Sequence, residues 1–518
     1  MFDLIIKNGK IIDGTGGPAY FSDVALKDGK IVRISKHLSQ AKQIIDAKGL
    51  TVTPGFIDSH SHNDQNILKY PDQIEKIEQG ITTSVAGTCG STKAPLRYDF
   101  TDSDDVVYHN IGKHSEIYKT MGSFLSVAKD IPQGSNVATF VGHNALRQAA
   151  FGSQNREPTK DELEKMKQLT KEAMENGAVG ASFGLIYTPG CYAKTDELIE
   201  IAKVVAEYNG VVSAHIRGEG DTLVEAVEEF IDIVKATDVR GVISHHKSCG
   251  KKNFGKVNTT LKMIEQANSE GYFVYCDVYP YIATHTSLST TVIPKELRAG
   301  GTNVLMSNLE NPEFRNCVRE YCQNRWDDYS FIMIANCKAH LEYEGKRVPE
   351  IAQLYGKDEI DTMLDLILHT RNSCTACYFT ISEDDVEKVI AYPRAMICTD
   401  SGVAGANSVY HPRLRGSFPR AIGRYVRERG VVTLEEMIRK MTSMPAAVYG
   451  FSTKGIIKEG MDADICIFDS DKIIDNASFT ECQKRASGLN YVILGGEIVV
   501  ENAVYNGKKN GAVLLRTI

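Results

Sequence analysis

The sequence predicts an α/β protein: a (β/α)8 TIM-like barrel with a small β-sandwich domain built from both termini. Three observations support this prediction. Short β-branched runs alternate with longer helix-period stretches from residue 53 onward, a pattern typical of parallel sheets. Both chain ends carry short alternating strands separated by glycine turns. Residue types that bind metals follow five of the predicted strands, at the end where barrel active sites lie.

Length and composition limit the possible classes of protein. The chain has 518 residues, which predicts one large domain and a smaller companion. Hydrophobic residues make up 42% and charged residues 24%, as in ordinary globular proteins. The net charge of -7 argues against a nucleic-acid partner, which would require a basic face. No apolar run approaches the roughly 18 residues of a membrane span, so we expect no membrane association.

The N-terminus and the cysteines predict a cytoplasmic protein. Residues 1–10 alternate as a strand and lack the basic and apolar regions of a signal peptide. The twelve cysteines are scattered, which favours free thiols in a reducing compartment over a disulfide scaffold. The single C-x-x-C, Cys374 to Cys377, has no second pair nearby to complete a structural zinc site, and we attribute it to chance.

The two chain ends resemble each other. Residues 4–13 and 23–35 alternate as strands, and Asn8-Gly9 and Asp28-Gly29 are typical of hairpin turns. Near the other end, three more short strands and a turn at Gly495-Gly496 repeat the pattern, at residues 464–469, 491–494 and 497–500. Neither end has enough strands to bury a face alone. We therefore predict one discontinuous β domain formed by residues 1–53 and 455–518.

Eight strand candidates lie between these ends, at residues 55–60, 82–87, 136–142, 178–184, 210–215, 241–245, 271–278 and 395–399. Helical patterns separate several of them, at residues 160–176, 195–208, 222–235 and 258–269. Eight repeats predict a closed barrel over residues 54–454. A doubly wound sheet is the alternative, but it would need a glycine-rich turn after its first strand, which here runs into His-Ser-His. Residues 285–340 break the rhythm and predict an insertion that could cover the barrel mouth.

Histidines at the strand ends are the first candidate metal ligands. His60 and His62 are two residues apart, so their side chains point the same way from a strand and can bind one ion. His215 and His245 end consecutive strands. Each alone would more often be a buried core histidine, but packing does not explain both at equivalent positions. The strand alternation does not decide between His245 and His246; we favour His245.

Cys89 and Asp400 complete the candidate site. Cys89 could be an ordinary buried thiol, but Gly87 and Gly90 allow the backbone to approach an ion, and a thiolate can bridge two zinc ions. Asp400 could be a turn residue; at the end of strand eight a catalytic carboxylate is favoured. Zinc lowers the pKa of bound water to roughly 7. Asp400 would take that proton and pass it to a leaving nitrogen.

Six sequence motifs resemble the amidohydrolase superfamily and, within it, the D-aminoacylase (N-acyl-D-amino-acid deacylase) family. They are PGFIDSHSH at 54–62, GTCG at 87–90, GASFGLIYTPG at 180–190, SHHK at 244–247, HPRLRG at 411–416 and GMDADI at 460–465. The resemblance implies hydrolysis of the amide bond of N-acyl-D-amino acids. The products would be a carboxylate and a free D-amino acid.

The resemblance also implies roles for individual residues. Cys89, His215 and His245 would form a tight zinc site. His60 and His62 would form a second, weaker site shared with Cys89 and Asp400, and Asp400 would be the general acid/base. Arg413, Lys247 and Tyr279 would bind the substrate carboxylate, and the planar fork of arginine suits that task. Without the resemblance, Arg413 would be interpreted as a surface ion pair and Lys247 as a solvated loop lysine.

Strand four favours linear over cyclic substrates. Hydantoinases and dihydroorotases carry a bridging carboxylated lysine at its end, whereas this chain has residues 182–185, Ser-Phe-Gly-Leu. Another amidohydrolase acting on a cyclic amide (hydantoinase- or dihydropyrimidinase-like) or a dipeptide-like bond is the alternative. A non-catalytic scaffold is a remote one, because all candidate ligands are present. The segment near 285–340 matches no family motif, so the preferred side chain and acyl group stay open, as does the oligomeric state.

Overall fold

The computed structural model of the protein describes residues 1–96, 118–403 and 411–516. The described strands, numbered in chain order, are β1 Phe2–Ile11, β2 Tyr20–Lys27, β3 Lys30–Ser35, β4 Ala41–Asp46, β5 Thr51–Pro54, β6 Phe56–Asp58, β7 Ile81–Ala86, β8 Asn136–Thr139, β9 Val141–Gly142, β10 Gly180–Gly184, β11 Val211–His215, β12 Arg240–Ile243, β13 Val274–Val278, β14 Thr284–Ser287, β15 Ile332–Asn336, β16 Thr375–Tyr378, β17 Ala395–Ile397, β18 Ile465–Phe468, β19 Leu489–Leu494, β20 Glu497–Glu501 and β21 Val504–Tyr505.

The described α-helices, also in chain order, are α1 Ile74–Ile77, α2 Met121–Ala128, α3 His143–Phe151, α4 Lys160–Glu175, α5 Thr195–Glu207, α6 Leu223–Thr237, α7 Val257–Ser269, α8 Leu288–Val292, α9 Thr302–Leu309, α10 Pro312–Arg325, α11 Val348–Tyr355, α12 Glu359–His369, α13 Glu383–Ala391, α14 Arg413–Arg420, α15 Leu434–Met441 and α16 Ser443–Tyr449. A π-helix, Ala421–Glu428, continues α14. None of the described helices is long and apolar enough to cross a lipid bilayer.

Both chain ends contribute to one nine-stranded sheet. Its order is β21-β20-β19-β18-β5-β1-β2-β3, and β4 also pairs with β1. The two ends join where β5 lies antiparallel to β18, with Thr51 opposite Phe468 and Pro54 opposite Ile465. Side chains from both ends, among them Leu4, Ile465 and Ile493, bury each other in a shared core. Neither end could bury this apolar surface alone, as the sequence predicted.

Two of the three predicted hairpin turns are confirmed. Asp28-Gly29 connects β2 to β3, and Gly495-Gly496 connects β19 to β20, with positive φ at all four residues as such turns require. The prediction at Asn8-Gly9 was wrong. Asn8 has φ 61° but lies inside β1, where the pairing with β2 shifts register as a β-bulge.

The predicted barrel is confirmed by the strand pairing. Every neighbouring pair within β6-β7-β8 and within β9-β10-β11-β12-β13-β17 is parallel, and Phe140 alone separates β8 from β9. The ring closes between its first and last strands. There, Asp400 N donates to His60 O at 3.0 Å and His62 N donates to Ser401 O at 3.1 Å.

Helices α4 to α7 match the four predicted helical stretches to within a few residues and alternate with barrel strands. Their apolar faces pack on the barrel through side chains such as Met166, Leu198 and Ile264. A capping box starts α4: Thr159 Oγ1 accepts from Glu162 N at 3.3 Å, and Thr159 N donates to Glu162 Oε2 at 2.8 Å.

A separate subdomain lies between β13 and β17. It consists of the antiparallel sheet β14-β16-β15 and helices α8 to α12. Its own hydrophobic core runs from Leu288 to Tyr378, so this core continues past residue 340. Because the subdomain follows strand seven, it sits beside the carboxyl ends of the barrel strands.

Candidate active site

Six residues proposed as metal ligands stand at or just beyond the carboxyl ends of five barrel strands: His60 and His62 after β6, Cys89 after β7, His215 at the end of β11, His245 after β12 and Asp400 after β17. Parallel strands in a barrel end at one face, so these residues meet although up to 340 positions separate them.

The Cys89 thiol lies at the centre of the group. Its Sγ atom is 3.3 Å from His60 Nε2, 3.4 Å from His245 Nε2 and 3.8 Å from His215 Nδ1. Asp400 lies on the other side, where Oδ1 is 3.1 Å from His62 Nε2 and 3.4 Å from His60 Nε2. The predicted convergence of distant residues is therefore what the fold produces.

Two overlapping groups in the described part of the chain have donor atoms within 4.8 Å of one another. One is Cys89, His215 and His245; the other is His60, His62, Cys89 and Asp400. Cys89 belongs to both, as expected for a bridging ligand. Imidazole, thiolate and carboxylate donors in this number could hold one or two transition-metal ions.

Electrostatics favours the ligand forms of the cysteine and the aspartate. Burial raises the pKa of the Cys89 thiol, but His60 and His245 outweigh burial and hold that pKa well below its ordinary value. Burial also raises the pKa of Asp400, and here Arg413 and His245 hold it well below the usual range. Metals bind the deprotonated forms of both groups, so the site is suited to a cation.

Three of the ligand candidates have strained backbones. Cys89, His245 and Asp400 have φ of 55°, 38° and 47°, in the left-handed region that non-glycine residues rarely occupy. Such strain persists only where the surroundings hold it, and it is concentrated at functional sites. The turns after β7, β12 and β17 therefore direct these side chains toward the shared centre at a cost in backbone energy.

Glycine is required beside Cys89. Gly90 has φ 79°, and a Cβ atom placed on it would lie 2.5 Å from Asn144 Oδ1 and 2.6 Å from Gly184 N. Because Gly184 N is a backbone atom, a side-chain rotation cannot relieve that clash. The sequence suggested that this glycine lets the backbone crowd close to an ion; the structure shows that it lets the Cys89 loop pack against strand four.

The structure separates the two adjacent histidines. His245 points toward Cys89, whereas His246 Nε2 is 2.9 Å from Thr260 Oγ1 on α7, away from the centre. Burial, with Lys247 adding to it, lowers the pKa of His246 to about 4, so this ring is neutral. His246 is therefore the ordinary buried histidine of the pair, and the preference for His245 agrees with the geometry.

Two acids beside the ligands were missed by sequence reasoning. Asp277, on β13, accepts a hydrogen bond of 2.5 Å from His245 N and lies 3.5 Å from His60 Nδ1. Glu219, in the loop after β11, lies 3.0 Å from His245 Nδ1 and 3.7 Å from His215 Nε2. Such acids orient metal-binding imidazoles. A charged residue inside an apolar strand was a visible signal for Asp277; nothing in the loop sequence marked Glu219.

The three proposed substrate-binding residues lie together at one wall of the centre. The Arg413 guanidinium stacks 4.7 Å from the centre of the Tyr279 ring, and Lys247 Nζ lies 5.6 Å from the same ring. Both cations also have acidic partners: Arg413 Nη1 donates to Asp400 Oδ2 at 2.6 Å, and Lys247 contacts Glu219. Neither side chain is the exposed surface group that its sequence context alone suggests.

Arg413 also donates hydrogen bonds to two histidines, His411 and His285. His411 Nδ1 accepts from Arg413 N at 3.0 Å while its Nε2 lies 2.9 Å from Ala283 O. The His285 carbonyl accepts from Arg413 Nη2 at 3.4 Å. His285 belongs to β14, so the inserted subdomain contacts the site directly.

The centre opens into a cavity of about 1480 Å³. Barrel residues line its inner part, and residues of the inserted subdomain, including Thr286, Arg298 and Trp326, line the rest. This is larger than the roughly 300–1,000 Å³ of typical small-molecule sites. A small polar molecule therefore has access to both the ligand group and the Arg413–Lys247 wall.

Comparison with known proteins identifies the family. The amidohydrolase family model matches residues 43–283 and 394–500, so the unmatched stretch coincides with the inserted subdomain. D-aminoacylase of Alcaligenes xylosoxydans xylosoxydans is 33% identical over 517 residues, which cover 100% of this chain and 98% of the relative.

Two solved structures agree over essentially the whole chain. N-acyl-D-glutamate deacylase from Bordetella bronchiseptica, complexed with zinc and a phosphonate inhibitor that mimics the tetrahedral intermediate, superposes with a TM-score of 0.85 at 32% identity and 99% coverage of both chains. A D-aminoacylase with a binuclear metal centre superposes with a TM-score of 0.85 at 34% identity and 100% coverage of both chains. The chain therefore belongs to the amidohydrolase family and, within it, to the group of D-aminoacylases and N-acyl-D-amino-acid deacylases.

Proposed function

We propose that the protein is a zinc-dependent amidohydrolase that hydrolyses the linear amide of N-acyl-D-amino acids to a carboxylate and a free D-amino acid. The observation that carries this proposal is the position of Asp400. Its carboxylate lies between the imidazoles of His60 and His62 and the guanidinium of Arg413. A proton-transfer group thus stands between a cation site and a carboxylate-binding residue.

The donor set fits zinc. Zinc–sulfur bonds of about 2.3 Å and zinc–nitrogen bonds of about 2.05 Å, arranged tetrahedrally, put sulfur and nitrogen about 3.6 Å apart. The Cys89 sulfur lies 3.4 and 3.8 Å from the facing nitrogens of His245 and His215. These three residues would hold the tight ion. His60, His62, Cys89 and Asp400 would hold a second, weaker one.

Zinc would supply a Lewis acid that polarises the scissile carbonyl and acidifies water. Asp400 accepts the proton of the attacking water and returns it to the amide nitrogen as the carbon–nitrogen bond breaks. Arg413, Lys247 and Tyr279 bind the substrate carboxylate and so orient the amide over Asp400. His411 positions Arg413, and Asp277 and Glu219 orient the imidazoles.

Relatives support D-amino acids as the substrate class. The Alcaligenes relative is a D-aminoacylase, and the Bordetella structure is of an N-acyl-D-glutamate deacylase. A cyclic amide or a dipeptide-like bond is the second candidate, and a non-catalytic scaffold the third. Strand four ends at Gly184 without the lysine of the hydantoinase type, which favours linear amides. The presence of all six ligand candidates argues against the scaffold.

The proposal extends to domain organisation and location. Residues 54–454 form the catalytic barrel, and residues 1–53 and 455–518 form the small β domain. The barrel carries the insertion that was predicted at about 285–340 and whose core extends to Tyr378. The pairing of β5 with β18 supports a division close to these boundaries. We further propose a cytoplasmic protein with a small-molecule substrate and no nucleic-acid or membrane partner. Free cysteines such as the exposed Cys317 are consistent with a reducing compartment.

A substrate panel tests the function. N-acetyl-D-amino acids, their L-enantiomers, hydantoin and dihydrouracil are assayed with zinc present, on the wild type, Cys89→Ala and Cys466→Ala. Cys466 is equally buried but contacts Gly80 O instead of the centre, so its variant is the matched control. We expect turnover of D-substrates, loss of zinc and activity in Cys89→Ala, and retention of both in Cys466→Ala.

Other outcomes select the alternatives. Turnover of only the cyclic compounds would overturn the deacylase proposal and favour a hydantoinase-like enzyme. Purified wild type with far less than one zinc per chain, and without activity after zinc addition, would favour the scaffold. Equal rates on D- and L-substrates would remove the stereochemical part alone.

A further inference from the structure

The two cations of the Arg413–Lys247 wall already have acidic partners. Arg413 Nη1 donates to Asp400 Oδ2 at 2.6 Å, and Lys247 Nζ contacts Glu219 Oε1. These four side chains are between 5% and 14% exposed, so the ion pairs are shielded from water. A carboxylate that binds both cations must therefore compete with Asp400 and Glu219.

The two competing acids also contact the ligand imidazoles. Asp400 uses its other oxygen, Oδ1, at 3.1 Å from His62 Nε2, and Glu219 Oε1 lies 3.0 Å from His245 Nδ1. Arg413 is thus linked to the candidate metal centre through the Asp400 carboxylate. Lys247 is linked to it through Glu219 and also directly, because its Nζ lies 2.7 Å from His245 Nδ1. When Arg413 moves to another partner, Asp400 therefore loses a hydrogen bond.

Tyr279 marks a place for an anion at this wall. Its side chain is 2% exposed, and its hydroxyl has no hydrogen-bond partner among the described residues. The ring lies beneath the Arg413 guanidinium and faces Lys247 at 5.6 Å. A buried hydroxyl without a partner is costly, and an anion that binds the two cations would supply an acceptor.

We infer that the substrate carboxylate takes Arg413 away from Asp400, so that carboxylate recognition and release of the proton-transfer group are one event. This inference rests on the proposed function. Arg413 then acts as a specificity-determining residue in turnover as well as in binding.

The chemical step shows why release matters. With Arg413 bound, Asp400 Oδ2 already accepts a charge-assisted hydrogen bond. After the exchange, Oδ2 accepts a proton from water as the water oxygen bonds to the acyl carbon. The proton then moves to the amide nitrogen, the carbon–nitrogen bond breaks, and the acid and the amine leave. One water molecule is consumed and Asp400 is regenerated.

A static ion pair is the competing interpretation. In that case Arg413 stays on Asp400 throughout turnover, and the substrate carboxylate contributes binding energy alone. A neutral analogue would then bind weakly but turn over at the normal rate once bound. The two interpretations therefore differ in kcat, which separates release of Asp400 from loss of affinity.

The test compares an N-acetyl-D-amino acid that the enzyme hydrolyses with its primary carboxamide, by acetate release. For the wild type we expect kcat on the carboxamide to be at least about tenfold lower, the size of one charge-assisted hydrogen bond. In Arg413→Met, Asp400 has no ion pair with residue 413. The kcat on the carboxamide should therefore equal or exceed the wild-type value. The acid-to-amide ratio of kcat should then fall to within about threefold.

Arg420→Met is the matched control. Arg420 stacks on Tyr281 at 4.7 Å and pairs with Asp475 at 3.4 Å, which repeats the arginine–tyrosine–aspartate arrangement outside the cavity lining. We expect its acid-to-amide ratio to match that of the wild type. An unchanged ratio in Arg413→Met, or a wild-type difference confined to KM, would overturn the inference.

A second measurement needs no variant. Formate added to the wild type together with the carboxamide should bind Arg413 at the Arg413–Lys247 wall and so release Asp400. The kcat should then rise at least about threefold and level off as the formate concentration increases. Absence of activation would count against the exchange even if Arg413→Met failed to fold. Absence of hydrolysis of every N-acetyl amino acid by zinc-loaded wild type is a different result, which refutes the proposed function itself.

Discussion

The Lys76 ammonium donates a 2.7 Å hydrogen bond to the carbonyl of Ser401, the residue that follows Asp400. The same ammonium binds Asp58 Oδ2 at 2.9 Å and Thr399 Oγ1 at 2.6 Å. Asp58 in turn accepts from Thr399 N at 2.9 Å. A fully buried ion pair thus connects the first and last barrel strands beneath the candidate metal centre and helps to hold the strained backbone of Asp400.

Removal of Lys76 should destabilise the protein strongly. Lys76→Met leaves the Asp58 carboxylate buried without its counter-charge, and breaking a buried pair in this way costs about 3–5 kcal/mol. The free energy of unfolding, measured by urea titration, checks this. Lys194→Met, which removes an exposed pair with Glu157, is the control and should change little. A similar effect in both variants would contradict the role of Lys76 at the seam.

Metal content should distinguish the two adjacent histidines. His245→Gln removes a nitrogen that faces the Cys89 sulfur, so we expect the tight zinc ion and the activity to be lost. His246→Gln replaces a ring that contacts Thr260, and zinc should be retained at the wild-type level. Zinc per chain after extensive dialysis is the measurement. Loss of zinc in His246→Gln alone would reverse the assignment.

The stability of the protein should fall in mild acid partly because of His246. Burial, aided by Lys247, lowers its pKa from 6.5 to about 4 in the folded chain. The unfolded chain therefore binds an extra proton between these values, so this contribution to stability is complete above pH 6.5 and is lost as the pH falls toward 4. By pH 5.5 the stability lost through His246 amounts to about 1 kcal/mol.

His246→Gln, which does not titrate, provides the comparison for that pH effect. Between pH 7.5 and 5.5 its free energy of unfolding should fall by about 1 kcal/mol less than that of the wild type. Parallel curves for the two proteins would show that the buried ring does not remain neutral. Urea titrations at each pH provide the values.

Gly90→Ala should lower the free energy of unfolding by more than the cost of a left-handed backbone at an alanine. Gly90 and Gly49 both have φ 79°, but a Cβ at Gly49 meets nothing within 4 Å. Gly49→Ala should therefore cost about 1–2 kcal/mol from the left-handed backbone alone. Gly90→Ala adds the clash with Asn144 and Gly184, about 1–3 kcal/mol more, and should lower zinc affinity. Equal losses of stability in the two variants would mean that the Cys89 loop can move away from Asn144 and Gly184.

Removal of metal should lower the thermal stability of the wild type. A ligand that binds the folded chain alone stabilises it by about 2.7 kcal/mol when present at a hundred times its Kd. We expect EDTA to lower the unfolding midpoint by several degrees and added zinc to restore it. Cys89→Ala should show no such shift. A shift of the same size in that variant would place the stabilising ion elsewhere.

Local sequence patterns were sufficient for the barrel and for the six ligand candidates. Strand and helix periods depend on neighbouring residues, and in a parallel barrel every strand end faces the same mouth. The residues that follow the strands, such as Cys89 and His215, could therefore be grouped from the sequence alone. The small β domain was predictable for the same reason, through its turn residues at Asp28 and Gly29.

Only the tertiary structure decided which groups pair with the ligands. Lys76 meets Asp58 across 18 positions and Thr399 across 323, and Glu219 meets Lys247 across 28; such distances carry no periodic signal. Asn8 shows the same limit on a smaller scale, because pairing with β2 turned an apparent hairpin into a bulge. Spacing along the chain predicts direction and burial, whereas the partners of buried charges are set by how distant segments pack.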